Sequence, residues 1–435
     1  MKKSLFALAA VTAFAGAAQA QSSVTVYGIL DVGYVGGNER LAGPTLANGQ
    51  NVNKQNTNSF NQSAESTSRL GFRGREDMGG GTAAFFTLET ALLPNTTPGA
   101  PTANSIFGAA RAAFVGLSQK GIGQASIGLQ NTVVTDAIAP TLTGEFNNIV
   151  GSLLFPGQTT AATGGTTGVV GLQGSGIANN SANGTTDAFT FRTSNTLKLQ
   201  SERMAGIQGS VMVIMSDTTQ TQGGVASPNQ GYTGGKNNSN GWGLGLNYTF
   251  KKFTGTAAYQ SFKAVDPYSA TAAQVAVGGL GATTGAPAIY NSSSGAPGQN
   301  IQDNQAYVGA TYDFGILKAY AGWIDRKVTS QINSNVYAKR TAQEIGVRGN
   351  FTPKIQSWAS IGNGRITAFG SNEPTANIVG WQIGSNYILS KRTNLYAIYG
   401  QAGTSNASNS VAGPTVGANQ SYNSNNYALG VRHTF

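Results

Sequence analysis

The sequence is poor in the residue types that most enzyme sites need. Its 435 residues contain no cysteine and a single histidine, His433, and only 10% of them are charged. Without cysteine, disulfides and thiol or Cys-metal chemistry are excluded, and one histidine excludes a His-rich metal site. A Ser-His-Asp triad would have to use His433, near the end of the last strand predicted below. We therefore expect neither an enzyme nor a bound cofactor.

Long hydrophobic segments are also missing. The apolar run at residues 5–16 is shorter than the ~20 residues that a helix needs to cross a bilayer. It follows Lys2-Lys3 and precedes the small-residue site Ala18-Gln19-Ala20, which predicts a cleaved secretory signal peptide over residues 1–20. No later segment is apolar enough to span as a helix. A membrane protein built from this chain therefore has to be a closed β-barrel, because its backbone groups must pair internally.

The composition fits a barrel better than a soluble globular protein. Soluble proteins carry about 25% charged residues, whereas this chain has 10% and contains 60 glycines. The formal net charge is +10, or +8 once Lys2 and Lys3 are removed with the signal peptide. The basic residues are scattered singly rather than in runs, which favours a basic barrel lumen over a nucleic-acid surface. No break in composition divides residues 21–435, so we expect one domain.

Alternation of apolar and polar residues with period two predicts an all-β fold of sixteen antiparallel strands. The predicted strands are 23–35, 66–75, 82–92, 111–117, 124–130, 187–201, 206–215, 241–250, 253–263, 304–314, 316–328, 342–351, 355–366, 377–389, 393–402 and 425–435. Residues 36–63 are interpreted as a polar loop. On the sixth strand, Phe189 and Phe191 share the lipid-facing parity of Leu197 and Leu199.

The connections between these strands alternate between short turns and long loops, as expected of a barrel with one periplasmic and one external end. Aromatic residues near the strand ends are predicted to form a girdle at the membrane interface. They are Tyr248, Phe250, Tyr312, Phe314, Trp358, Tyr387, Tyr396 and Phe435.

The most informative stretch is residues 111–146. It reads as a hairpin of two short strands, beginning with Arg111, followed after Gln130 by a loop that contains two isolated acids, Asp136 and Glu145. A basic wall with an acidic loop folded inward against it is the arrangement that a narrowed channel requires.

This stretch resembles the general diffusion porins, the trimeric sixteen-stranded outer-membrane barrels of Gram-negative bacteria, in their betaproteobacterial type. The family pattern R-x-A-x-x-G-L occurs at residues 111–117, and the run V-V-x-D-A at residues 133–137. Glu145-Phe146 match the family's E-F pair. Leu129 stands where the family usually has Arg, and Gly144 with Asn147-Asn148 replaces a Pro and a Gly pair.

The resemblance implies a site, an assembly and a location. The pore constriction would consist of Arg69, Arg111 and Arg192 on the wall with Asp136 and Glu145 on the inward-folded loop. Arg73, Arg75 and Lys198 share inward parity and would extend a basic ladder along the lumen. Phe435 would be the assembly signal in the C-terminal strand, read by the barrel assembly machinery. The expected protein is a homotrimer among outer-membrane lipids.

The function expected from this resemblance is passive diffusion of small hydrophilic solutes and ions, with a modest preference for anions. An alternative from another class is a secreted or surface β-rich adhesin, which would not account for sixteen alternating strands or for the aromatic Phe435.

Overall fold

A computed structural model describes residues 23–42, 52–94, 106–144, 189–220, 235–265, 300–331, 334–335, 337–369, 374–409 and 421–435. The predicted signal peptide and Glu145 lie outside these ranges. Within them, the chain is almost entirely β-strand, and none of its helices is long and apolar enough to cross a membrane.

Seventeen strand segments and one short α-helix make up the described chain. The strands are β1 Ser23–Ala42, β2 Val52–Gln62, β3 Arg69–Gly79, β4 Thr82–Leu92, β5 Phe107–Gln119, β6 Gly123–Asn131, β7 Arg192–Ser201, β8 Ile207–Gln220, β9 Gly235–Phe250, β10 Phe253–Val265, β11 Asn300–Asp313, β12 Lys318–Ser330, β13 Tyr337–Thr352, β14 Ile355–Phe369, β15 Pro374–Ile388, β16 Thr393–Asn409 and β17 Ser421–Thr434. The helix, α1, is Val133–Ile138 and is followed by a 3-10 turn, Ala139–Thr141.

The segments form one closed antiparallel barrel. From β3 onward each strand pairs with the next, and β17 pairs with β1 to close the ring. Both β2 and β3 pair with β1, β2 opposite its second half and β3 opposite Ser23–Ile29. They are thus two halves of one barrel strand, interrupted at residues 63–68. The predicted sixteen-stranded antiparallel barrel is confirmed.

The outer face of the barrel is apolar, the reverse of a soluble protein. Val24 and Val26 on β1 are 66% and 52% exposed, and Leu244 and Leu246 on β9 are each 50% exposed. Their neighbours in sequence point into the barrel. Exposed aliphatic and aromatic side chains recur around the described strands. Water would disfavour so continuous an apolar surface, whereas lipid accommodates it.

The expected polar loop at residues 36–63 is wrong in part, because β1 continues to Ala42 and pairs with β2 from Val52 to Gln62. The sequence pattern missed this hairpin because neither of its faces is consistently apolar. A strand pair that extends beyond the lipid does not need an apolar outer face.

Several aromatic side chains are on the inner face of the barrel instead of the outer face expected for them. Phe189 is completely buried inside the barrel and Phe191 packs against the same internal cluster, because both precede β7 instead of belonging to it. Trp358 and Tyr396 are 2% and 3% exposed and face inward, so they do not belong to an interfacial girdle. Phe250, Tyr312, Phe314 and Tyr387 are on the outside, where the Tyr248 and Phe250 rings are stacked and the Tyr312 and Phe314 rings are in tilted contact.

The seam between the two ends of the chain is closed by Phe435. Its backbone N–H donates to the Gly28 carbonyl and its carbonyl accepts from the Gly28 N–H, both at 3.1 Å. The phenyl ring of Phe435 lies over Gly28 so closely that any side chain at position 28 would collide with it. Glycine at position 28 therefore seats Phe435 against β1.

Candidate functional site

The chain leaves the barrel wall after β6 and turns into the lumen. Thr132 caps α1, its side-chain oxygen accepting from the Thr135 N–H, and its own N–H donates to the Phe191 carbonyl at 3.0 Å. Asparagine, aspartate, serine and threonine are the preferred residues for this capping role, because they satisfy an unpaired N–H of the first turn. The predicted loop thus contains one and a half turns of helix at its start.

Hydrophobic side chains hold this segment, residues 132–144, against the inner wall. Val133, Val134 and Ile138 are at most 1% exposed and pack in one cluster with inward side chains of β8, β10, β11 and β12. Those wall residues include Met212, Ala258, Tyr307 and Ile324. Burying each aliphatic side chain contributes about 1.5–3 kcal/mol relative to exposure. The packing therefore places the segment inside the barrel, along one side of the lumen.

The wall is shaped to accept the segment. A methyl group added at Gly243 on β9 would lie 2.7 Å from the Val133 side chain, and one at Gly309 on β11 would lie 2.6 Å from the Thr141 hydroxyl. Both distances are too short for non-bonded contact. Glycine at these two positions allows the backbone of the segment to approach the sheet closely.

Polar contacts fix the position of the segment along the wall. The Thr256 hydroxyl donates to the Ala137 carbonyl at 2.8 Å, and the hydroxyls of Thr141 and Tyr307 are 2.6 Å apart. Arg348 on β13 donates from Nε to the Thr143 carbonyl at 2.9 Å. The anchors run from β10 to β13, so the segment crosses the inner surface of four neighbouring strands.

The loop acid Asp136 pairs with Lys198 instead of one of the predicted constriction arginines. Lys198 Nζ lies 2.8 Å from Asp136 Oδ2 and also donates to the Asn131 carbonyl at 3.1 Å. Lys198 is on β7, next to the point where the segment leaves the wall. The predicted inward orientation of Lys198 agrees with this contact, and the ion pair brings wall and segment charges together.

Arg111 faces the lumen because of a β-bulge. Glu89 pairs with Ala112 and Thr90 with Ala110, which leaves Arg111 as the extra residue on β5. Arg111 lies four residues before the exposed Val115, so in a regular strand its side chain would also be on the outer face. The bulge turns its side chain inward, where Nε donates to Glu89 Oε1 at 2.6 Å.

Other predicted basic residues gather around the same carboxylate. Tyr27 donates from its hydroxyl to Glu89 Oε2 at 3.0 Å, and Arg69 on β3 interacts electrostatically with Glu89. Arg73 lies over the Tyr27 ring, 5.4 Å from its centre. These residues form a contiguous charged strip on the inner faces of β1, β3, β4 and β5.

The remaining predicted residues are positioned as follows. Arg192, the first residue of β7, is 9% exposed and follows the Phe189–Phe191 stretch that packs beside α1. Arg75, near the end of β3, is exposed. Glu145 lies outside the described residues, so its predicted place in the constriction remains a prediction.

Sequence reasoning missed two ion pairs with buried carboxylates, one between β11 and β12 and one beside the seam of β1 and β17. Arg326 on β12 makes two hydrogen bonds to Asp303 on β11, at 3.1 and 2.7 Å, and both side chains are almost completely buried. Arg432 Nε lies 3.4 Å from Glu65 Oε2, which is also fully buried. On β12, Arg326 alternates in step with the apolar residues Ile324 and Val328, a pattern that indicates a lipid-facing position, so alternation alone misassigns it.

A family profile described as Gram-negative porin matches residues 7–407. An outer membrane porin of Bordetella pertussis is 37% identical over 138 residues, which is 31% of this chain and 35% of that protein. Outer membrane porin protein 32 of Delftia acidovorans is 46% identical over 93 residues, 21% of this chain and 23% of that protein. The matched segments therefore span about a third and about a quarter of these relatives.

Two solved structures share the architecture. The anion-selective porin from Comamonas acidovorans has a TM-score of 0.64 at 18% identity, with 95% of this chain and 100% of that chain covered. OmpT of Vibrio cholerae has a TM-score of 0.54 at 13% identity, with 95% and 98% covered. At such low identities the likeness establishes the fold.

Proposed function

Because this chain belongs to the Gram-negative porin family, we propose that it forms a water-filled channel in the outer membrane. Small hydrophilic solutes and ions would diffuse passively through it. The observation that carries the proposal is the contrast between the two faces of one closed sheet. The outer face is apolar, whereas the inner face carries the Arg111–Glu89 and Lys198–Asp136 pairs beside an inward-folded segment.

The mechanism is electrostatic and steric. Residues 132–144 fill one side of the lumen, and the charged strip on β1, β3, β4 and β5 lines part of the remaining wall. Arginines on the wall and Asp136 on the segment would create a transverse field that orients a polar solute as it passes. No step requires energy or covalent chemistry.

The ionic preference in this proposal is modestly anionic. Arg69, Arg73, Arg75, Arg111, Arg192 and Lys198 contribute inward basic positions, while Glu89 and Asp136 are each paired with one of them. The six positive charges outnumber these two negative charges, so this part of the lining has a net positive charge. Rings of arginine or lysine favour anions.

Liposome swelling tests passive diffusion without reference to charge. Vesicles containing the purified mature protein should swell in isosmotic solutions of small neutral sugars, and the rate should fall steeply as the sugar grows. Vesicles with the same amount of heat-denatured protein provide the control. If the folded barrel has inserted and the vesicles swell in none of the sugars, an open channel is excluded.

The adhesin alternative has no comparable support. A secreted adhesin would leave the exposed apolar belt of β1 and β9 in water, which is unfavourable for a surface of that extent.

We further propose that the barrels assemble as homotrimers. The outer face of β5 carries the small exposed residues Ala110 and Ala113 next to the exposed apolar side chains of Phe107 and Val115, which suits close packing between subunits. The protein should migrate as an SDS-resistant oligomer before boiling and near the mass of one chain afterwards. A single monomeric band in mild detergent at all temperatures would exclude the trimer and leave the barrel unaffected.

Phe435 is proposed as the residue that the barrel assembly machinery reads, in addition to closing the seam. Phe435→Ala removes the ring over Gly28 and should lower the yield of the heat-modifiable folded form in outer membranes. Phe435→Tyr keeps an aromatic ring there and should retain most of that yield. If Phe435→Ala and Phe435→Tyr both gave the same yield of folded protein as the unmodified chain, Phe435 would have no role in assembly.

A further inference from the structure

A second part of the chain enters the lumen, at the interruption between β2 and β3. On β1, Val32 pairs with Gln62 and Ile29 pairs with Arg69. Only two β1 residues, Leu30 and Asp31, therefore lie opposite the six residues 63–68, so four residues are in excess. The excess begins at Ser63, whose φ of 61° is in the left-handed region. We refer to residues 63–68 as the inward turn.

The inward turn covers an apolar patch of the inner wall. Ala64 is 1% exposed and packs in one cluster with Val35, Trp358, Ile398 and Ala428, which face inward from β1, β14, β16 and β17. An apolar patch facing water inside a channel would be unfavourable. Its cover is provided by the inward turn, just as residues 132–144 cover the apolar patch on β8 to β12.

The Asp31 carboxylate binds the backbone of the turn directly. Asp31 is fully buried, and its Oδ2 accepts from the backbone N–H groups of Glu65 at 2.9 Å and Ser66 at 2.6 Å. Its Oδ1 accepts from the Tyr396 hydroxyl at 2.6 Å. The Asp31 backbone also bonds to both ends of the turn, through the Ser63 N–H and the Ser68 hydroxyl. Bonds to a charged acceptor are stronger than neutral ones.

A second set of contacts fixes the side chain of Glu65. Its Oε2 accepts from Asn394 Nδ2 at 3.1 Å and lies 3.4 Å from Arg432 Nε. Arg432 in turn donates to Asn394 Oδ1 at 3.1 Å. The turn is thereby tied to β16 and β17 as well as to β1.

We propose that the inward turn is a second narrowing element of the channel and that Asp31 and Tyr396 are its positioning residues. Around the ring of sixteen strands, β1, which carries Asp31, is eight strands from β10 in either direction, and Thr256 on β10 anchors residues 132–144, so the two anchoring points lie on opposite walls. Two inward elements on opposite walls set the width of the passage between them. The turn also ends next to Arg69, so it fixes where that charge enters the lumen.

This inference rests on the channel function proposed above, but its main test does not depend on conduction. The chain has no cysteine, so Ala64→Cys introduces one thiol under the inward turn. Ala137→Cys places a matched thiol under the other element, where Ala137 is 5% exposed. The rate at which each thiol reacts with a charged methanethiosulfonate reagent then reports how readily its own element, the inward turn or residues 132–144, separates from the barrel wall.

In the test, each cysteine variant is combined with each of two substitutions that remove a tyrosine hydroxyl. Tyr396→Phe removes one bond to the Asp31 carboxylate, and Tyr307→Phe removes the contact with Thr141. Tyr396→Phe should increase the reaction rate of Ala64→Cys about tenfold and leave Ala137→Cys unchanged, as expected for losing a charged hydrogen bond. Tyr307→Phe should affect only Ala137→Cys. Asp31→Asn, which keeps an acceptor but loses the charge, should act in the same direction as Tyr396→Phe.

Two outcomes would overturn the proposal. One is an unchanged, slow reaction of Ala64→Cys in every folded variant. The other is an equal acceleration of both thiols by Tyr396→Phe, which would indicate general loosening of the barrel. In planar bilayers, Tyr396→Phe should also raise the conductance. A selective thiol result with no conduction by the intact protein would contradict the channel function and this narrowing role, whereas conduction without the selective thiol result would contradict the inference alone.

Discussion

Channels that lack residues 133–144 should conduct several times more current than the intact channel. The deletion removes α1 and the 3-10 turn, which occupy the lumen against β8 to β12. A wider water-filled cross-section conducts more ions, and the field from Asp136 is lost at the same time. The measurement is the single-channel conductance of the deletion variant in planar bilayers.

A deletion of equal length at residues 275–286 provides the control. The sequence predicts a long external connection there, so the conductance should change little. The deletion of residues 133–144 also uncovers wall residues such as Met212 and Ile324, so folding is verified first by the heat-modifiable band. A folded deletion variant with unchanged conductance would place the segment outside the conducting path.

Replacing Arg111 and Arg192 together with Gln should move the channel from modest anion preference toward cations. The change removes two positive charges and, at Arg111, also frees the Glu89 carboxylate from its closest partner at 2.6 Å. Across a lumen narrower than the Debye length, ~8 Å at physiological salt, such charges are not fully screened. The zero-current potential in a salt gradient reports the change.

Control variants distinguish the effect of charges at the constriction from the effect of the total charge of the protein. Lys354→Gln with Lys391→Gln removes the same charge from exposed turns and should shift the zero-current potential much less. Glu89→Gln should shift it in the opposite direction, toward anions. If the intact channel already prefers cations, the constriction is not dominated by these arginines, although the channel itself would remain.

Sequence alternation predicted the barrel because lipid and water impose opposite demands on successive side chains. Val24 and Val26 face out while Tyr27 and Asp31 face in, and this pattern repeats along the strands. It failed where the backbone departs from a regular strand. Phe189 and Phe191 precede β7 and pack beside α1, and residues 63–68 leave the wall altogether. No period-two pattern can locate such departures.

The sequence predicted the orientation of some site residues and not of others, again because only regular strand backbone follows the alternation. Lys198 follows simple parity and meets Asp136, whereas Arg111 faces the lumen only because a bulge reverses its parity. Asp31 faces inward as regular alternation requires, but it is fully buried under the inward turn. Its partners come from residues 65, 66 and 396, which are distant in sequence from position 31 and could not be paired without the fold.

The most direct test of the central claim, that the charged lumen is an open passage between inward elements, is planar-bilayer recording of the purified mature protein. We predict discrete steps of conductance that rise with salt concentration, together with a zero-current potential on the anion side. Membranes that show no steps, although the folded barrel has inserted, would contradict the claim.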